Sequence, residues 1–180
     1  TERLITLVEQ ILELSKLEAK QTLPSMEPFS IAELVQDVVQ KFQPQAEKQK
    51  IRLRAVIPKD LLLVYADIAM IERVLQNLID NAMRYTPEIG VVTVEIVRNN
   101  NSVVVKISDS GYGIPQEDLP HIFDRFYRAE KSRSRNLGGT GLGLAITQKI
   151  LEAHNSDITV QSAVRAGTTF SFHLPIYNQA

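Results

Sequence analysis

The sequence has neither cysteine nor tryptophan among its 180 residues. Without cysteine there can be no disulfide, no thiolate nucleophile and no cysteine-held zinc, a composition compatible with the cytosol. Nothing resembles a signal peptide, and no apolar run is long enough to span a bilayer. Excess charge of one sign is missing as well: 20 basic residues against 21 acidic ones leave a formal net charge of -1. So balanced a chain projects no overall field toward nucleic acid or an anionic membrane, and only a local phosphate site remains open to it. The chain begins at Thr1 rather than at a methionine, so it reads as a piece of something longer, with any sensor or membrane anchor in the missing part.

At 44% hydrophobic over this length, the chain can bury one good core with a small appendage. Residues 1–20 read as a helix with two adjacent apolar stripes, Leu4, Leu7, Ile11 and Leu14 beside Ile5, Val8 and Leu12. Such a face suits a bundle member whose partners lie outside the chain; a surface helix docked on the following domain is the plainer reading. Two prolines, Pro24 and Pro28, mark a linker. Ser30 and Glu33 are spaced as a capping box for a second helix, which Pro44 should kink or end. Alternation predicts strands over 51–57, 91–98 and 103–108, the last two joined by an Asn-rich hairpin, with a buried strand over 61–66. Helices are predicted over 68–85 and 142–154, and a closing pair of strands over 157–162 and 168–174. The fold class expected from this order is α+β, helices layered on one face of a mixed, largely antiparallel sheet and preceded by one bundle helix.

Three segments carry candidate chemistry. On the helix over 68–85, Ile71, Val74, Leu75, Leu78 and Ala82 form a buried face, while Asn77, Asn81 and Tyr85 step by four along another, with Arg84 adjoining. Asparagine is a poor helix former, so the pair is either two satisfied amides or a source of a hard oxygen for Mg²⁺. Asp109-Ser110-Gly111-Tyr112-Gly113-Ile114-Pro115 follows an apolar strand. It reads as an ordinary turn or as a pocket edge where the Asp109 carboxylate accepts from an adenine amino group. Gly138-Gly139-Thr140-Gly141-Leu142-Gly143-Leu144 opens the last long helix, where free N–H groups and the positive helix end attract phosphate. It lacks the endings of a P-loop or a dinucleotide fingerprint, and a flexible hinge is the bland alternative. The stretch before it carries Arg128, Lys131, Arg133 and Arg135, a charged lid or a solvated basic loop over about 128–140. Ile122-Phe123-Asp124-Arg125-Phe126-Tyr127-Arg128 adds aromatics that suit either the core or an anchor for that lid.

In this order the segments resemble the N, G1, F, G2 and G3 boxes of sensor histidine kinases, within the gyrase, chaperone, histidine-kinase and mismatch-repair ATPase superfamily. The resemblance implies a two-layer α/β sandwich of the Bergerat type over 30–176, after the end of the second dimerisation helix at 1–22 and a linker at 23–29, with a tail at 177–180. It implies ATP and Mg²⁺ as cofactors. Asn77, Asn81 and Arg128 would be catalytic, Asn81 as the metal ligand and Arg128 reaching the terminal phosphate. Arg84 and Tyr85 would lie near phosphate and base, Asp109 would read adenine, and Gly111, Gly113 and Ile114 would shape its pocket. Gly139, Thr140, Gly141, Leu142 and Gly143 would form the G2 cradle, Gly167, Thr168 and Thr169 the G3 box, and Phe123 and Phe126 the F box.

The implied function is transfer of the ATP γ-phosphate to a histidine on a dimerisation domain. The implied partners are that domain and a downstream response regulator, within a cytoplasmic part of a homodimeric parent that is free to carry a membrane anchor. Two departures stand out. The family's His-Gly-Gly is His154-Asn155-Ser156 here, and none of His121, His154 and His173 is followed by the acidic residue of a phosphoacceptor, so the acceptor is expected upstream. An ATP-hydrolysing or nucleotide-sensing module is the alternative. Hydrolysis needs a base one turn before Asn81; that position is Asn77, which cannot take a proton, and Glu72 lies nine residues from Asn81, about half a turn around the helix.

Overall fold

Apolar residues at helical spacing give four α-helices among the described residues, and seven strands accompany them, the longer ones strictly alternating. The structure, a computed structural model, describes residues 1–60, 63–129 and 137–178. In chain order the elements are α1 (Glu2–Glu18), β1 (Glu27–Phe29), α2 (Ile31–Lys48), β2 (Arg52–Val56), β3 (Val64–Ala66), α3 (Ile68–Tyr85), β4 (Val91–Asn99), β5 (Ser102–Asp109), a 3₁₀ turn (Leu119–His121), α4 (Gly143–Ala153), β6 (Thr159–Ser162) and β7 (Thr168–Pro175).

The main sheet runs β2-β4-β5-β7-β6, with β2 parallel to β4 and every other pair antiparallel. The central hairpin closes where Asn99 faces Ser102, and Asn100 takes φ +34°, a geometry asparagine tolerates. Val92, Val94 and Ile96 of β4, Val103, Val105 and Ile107 of β5, and Phe170, Phe172 and Leu174 of β7 are all buried. Their alternating neighbours face out, so only one face of the sheet needs covering. Helices α2 and α3 cover it, and α4 packs on α3. The class is therefore α+β, a mixed and mostly antiparallel sheet under helices, as expected.

Two local readings change. α2 does not end at Pro44 but continues to Lys48, because the last turn is held from outside: Ala46 is buried and its carbonyl accepts from Ile51 N–H at 2.9 Å. Tertiary contact outweighs the single donor that proline removes. Part of the segment read as linker is a strand, β1, paired antiparallel with β3 so that Phe29 opposes Val64 and both are buried. The predicted strand over 61–66 is realised from Val64, while Leu61 and Leu62 lie outside the described residues.

α1 is docked rather than alone. It packs on α4, burying Leu14 with Leu7 and Leu17 half-covered, and Glu13 forms a two-pronged ion pair with Arg73 of α3 at 3.3 and 3.0 Å. Glu18 pairs with Arg125 farther along. Leu4, Ile5, Val8, Ile11 and Leu12 remain exposed. Of the two apolar stripes, the domain uses only part of one, so the plainer docking reading holds on one side and the bundle reading retains the other.

Candidate functional site

The end of α3, the loop after β5, the start of α4 and the near face of α1 enclose a cavity of about 820 Å³. That volume suits a nucleotide-sized ligand. Of the residues singled out from the sequence, Asn77, Asn81, Arg84, Tyr85, Asp109, Gly113, Ile114, Arg128, Gly139, Thr140, Gly141, Gly143 and Thr168 line it. Gly111, Leu142, Gly167, Thr169, Phe123 and Phe126 do not. Leu142 is fully buried at the N-cap of α4, and Gly111 lies behind the wall, where its N–H donates to Asp109 Oδ1 at 2.8 Å. Residues 130–136, including Lys131, Arg133 and Arg135 of the expected lid, lie outside the described residues.

The two asparagines of α3 part company. Asn77 Nδ2 donates to the Gly143 carbonyl at 3.2 Å and to Thr147 Oγ1 at 3.3 Å, tying α3 to the first turn of α4. The half-buried Asn81 amide has no hydrogen-bond partner among the described residues and faces the cavity. A sheltered amide oxygen without a protein partner is the kind of hard donor Mg²⁺ accepts when substrate phosphates and water supply the rest of its octahedron. The donor set therefore fits a metal that arrives with a polyphosphate. Asp80 also lines the cavity. Its carboxylate accepts from Arg84 Nη2 at 2.6 Å, and the Arg84 guanidinium lies against Gly139, where a Cβ would come within 2.1 Å of Nη1.

Asp109 ends β5 directly opposite Thr168 of β7, a register that sets a second N–H against its carboxylate. Burial raises its pKa from 3.8 to about 6, and the N–H groups of Gly111 and Thr168 hold it back from rising further. The following loop is fastened from behind by Ser162: Ile114 N–H donates to Ser162 Oγ at 2.8 Å, and that hydroxyl also meets the Gly167 carbonyl at 2.9 Å and Thr168 Oγ1 at 2.8 Å. Gly113 takes φ +71°, and a Cβ there would lie 1.8 Å from the Ala163 carbonyl oxygen, so only glycine brings the loop this close to the β6–β7 turn.

Thr140, in the glycine-rich stretch, accepts from Leu142 N–H at 3.3 Å and donates its hydroxyl to Gln10 Oε1 of α1 at 2.6 Å. The aromatic segment divides as well. Phe123 packs edge-on against Phe170 at 6.3 Å in the core, whereas Phe126 is exposed at φ +61° with its N–H bonded to the Gly141 carbonyl. Nothing in the motifs pointed to Ser162, or to the cavity-lining Arg3, Thr6 and Gln10 of α1. A family model described as histidine kinase-, DNA gyrase B-, and HSP90-like ATPase matches residues 66–178, well over half of the chain.

The chain belongs to this ATPase family. Among curated relatives it is 41% identical over 177 residues to the sensor histidine kinase WalK of Bacillus subtilis, covering 97% of this chain and 29% of that protein. The chain spans less than half the length of the curated relatives it matches. A crystal structure of full-length ShkA in complex with AMPPNP superposes with a TM-score of 0.87 at 26% identity, over 98% of this chain and 36% of that one. Histidine kinase ThkA in complex with the response regulator protein TrrA gives 0.80 at 29% identity, over 98% and 48%. These matches extend over α1 as well as over the ATPase domain.

His154, where the family resemblance predicts a turn with glycine, is a structural joint. Its Nε2 accepts from Asp67 N–H at 3.1 Å and its Nδ1–H donates to the Ile150 carbonyl at 2.8 Å, so a neutral ring links the N-cap of α3 to the last turn of α4. Asn155 adopts φ +54°, so the turn survives without glycine.

Proposed function

We propose that this domain binds Mg-ATP and delivers the γ-phosphoryl group to a histidine on a dimerisation domain of its parent protein. The observation that carries the reading is the division of labour on α3: Asn81 offers a free amide oxygen to the cavity that also holds the Asp109 carboxylate and the glycine-rich start of α4. Asp109 accepts from the adenine amino group. Tyr85 and Ile114 wall the base. Backbone N–H groups around 139–143 and the positive end of α4 receive the phosphates, and Arg128 balances the charge that builds on the terminal one. Mg²⁺, held by Asn81 and the phosphates, neutralises charge when it is bound. What remains for the protein is to place the triphosphate for in-line attack, and a neutral imidazole needs no strong base.

Kinase is favoured over hydrolase because neither carboxylate of α3 is left without a partner to orient water. Asn77 is an amide engaged with α4, Asp80 is paired with Arg84, and Glu72 accepts from Lys41 at 2.8 Å and from Gln76 at 3.3 Å. The parent is then a cytoplasmic or membrane-anchored homodimer, with α1 as the end of its second dimerisation helix and a response regulator as the next acceptor. No helix among the described residues is long and apolar enough to cross a membrane.

The test is phosphotransfer from γ-labelled ATP in the longer parent chain, which brings its own upstream histidine. An acid-labile label that disappears with Asn81→Ala supports the reading. Steady release of free phosphate with no labelled protein refutes it in favour of hydrolysis.

A further inference from the structure

The cavity wall includes three residues outside the ATPase domain proper. Arg3, Thr6 and Gln10 of α1 stand at i, i+3 and i+7, the spacing that puts side chains on one helical face, and that face closes the phosphate side of the cavity. Gln10 already holds the glycine-rich stretch through the Thr140 hydroxyl at 2.6 Å. Arg3 lines the same space one turn beyond Thr6, and no acidic side chain pairs with it among the described residues. By contrast, the nearby Arg84 has its charge offset by Asp80 at 2.6 Å. α1 is held in this position from its other end, by Glu13 on Arg73 and Glu18 on Arg125, so the face is presented and not merely swept past. An uncompensated guanidinium turned into a phosphate-binding cavity is placed to meet an anion.

Resting on the nucleotide reading above, we propose that this face of α1 is part of the nucleotide site, with Arg3 a specificity-determining ligand of the phosphate tail and Gln10 the residue that fixes the glycine-rich stretch against α1. Nucleotide then bridges the two bodies of the chain. Linkage makes the effect reciprocal: α1 docking strengthens ATP binding, and ATP strengthens α1 docking by the same factor. The opposite arrangement, in which α1 only plugs the cavity, would make docking and nucleotide compete.

The experiment is calorimetric binding of Mg-ATP and of AMP to the chain 1–180 and its Arg3→Ala, Arg3→Lys and Gln10→Ala variants, with hydrogen exchange along α1. Arg3 is exposed, so its replacements are expected to fold. Arg3→Ala should weaken Mg-ATP by about tenfold, the scale of a lost charge-assisted contact, while AMP changes by less than about twofold. Arg3→Lys should recover most of the loss, and ATP should slow exchange along α1 in the wild type, less so in Gln10→Ala. Equal or tighter Mg-ATP binding by Arg3→Ala, or α1 exchange that ATP leaves unchanged or speeds up, overturns the inference. A wild type that binds no Mg-ATP overturns the nucleotide reading itself, which separates the two failures.

Discussion

Asp109 is a carboxyl group whose ionised form is the one the proposed adenine contact requires and the one burial disfavours. Burial raises its pKa to about 6, and only the carboxylate is a pure acceptor for the adenine amino group. The apparent affinity for ATP should therefore follow the ionised fraction. At pH 7.5 nearly every molecule is competent, whereas at pH 5 roughly a tenth is, so binding should weaken about tenfold across that interval. Binding at pH 6 should release about half a proton, which calorimetry in buffers of different ionisation enthalpy measures directly. The phosphate tail also protonates in this range, so the proper comparison is Asp109→Asn, which keeps that contribution and lacks the Asp109 step.

Stability in the absence of nucleotide should move the other way. A folded pKa above the unfolded value of 3.8 means this group's stabilisation is fully present below 3.8 and is lost as pH rises through about 6, up to about 3 kcal/mol. Asp109→Asn, which has no charge to bury, should thus raise the nucleotide-free melting temperature at pH 7.5, by about 2–4 °C for each kcal/mol recovered, while impairing ATP binding. Parallel pH profiles of ATP binding for wild type and Asp109→Asn would refute the reasoning.

Asn81→Ala should abolish the Mg²⁺ dependence of ATP binding and cost roughly tenfold or more in affinity; calorimetry with and without Mg²⁺ decides it. Gly113→Ala should destabilise the domain by at least about 1 kcal/mol and disrupt the base pocket, since its Cβ would meet the Ala163 carbonyl; denaturant unfolding is the measure, and an unchanged midpoint would contradict it. His154→Ala leaves the half-buried Asp67 N–H without its partner and should cost about 1 kcal/mol or more in the same assay without altering base preference. The chain 1–180 alone should accumulate no phosphohistidine on incubation with γ-labelled ATP, because both ring nitrogens of His154 are engaged and neither His121 nor His173 has the acceptor context.

Most of the fold was legible wherever periodicity speaks without competition. The alternation in β4 and β5 and the stripe on α3 each name a buried face, and those faces form the core. Misreadings arose where packing beyond the local pattern decides. Pro44 is a valid stop signal in isolation, yet α2 runs on to Lys48 with Ala46 buried in the core. β1 is three residues long and carries Pro28, too little pattern to reveal a strand that exists only by pairing with β3, 37 residues on at the Pro28–Tyr65 position. α1 displayed two apolar stripes, yet composition could not tell that its polar residues at 3, 6 and 10 would face a cavity; that depends on ion pairs to Arg73 and Arg125, 60 and 107 residues away.

The site follows the same division, and the asparagines of α3 are its sharpest case. Asn77 and Asn81 are chemically identical and one turn apart, so propensity, spacing and burial pattern treat them alike. They differ because α4 crosses α3 at Asn77, putting the Gly143 carbonyl and the Thr147 hydroxyl within reach of one amide and leaving the other facing open space. Gly143 sits at this crossing: an added Cβ there would meet Asn77 side-chain atoms at 3.8–4.0 Å, ordinary contact distance, so the two helices approach closely at a position with no side chain of its own. The glycine-rich stretch thus acts twice, lining the cavity from Gly138 to Gly141 on one side and seating Asn77 through the Gly143 carbonyl on the other. A motif read only for the phosphate it can hold captures the first role. The second belongs to the pair of helices, and it leaves Asn81 as the α3 asparagine whose amide faces the cavity without a partner among the described residues.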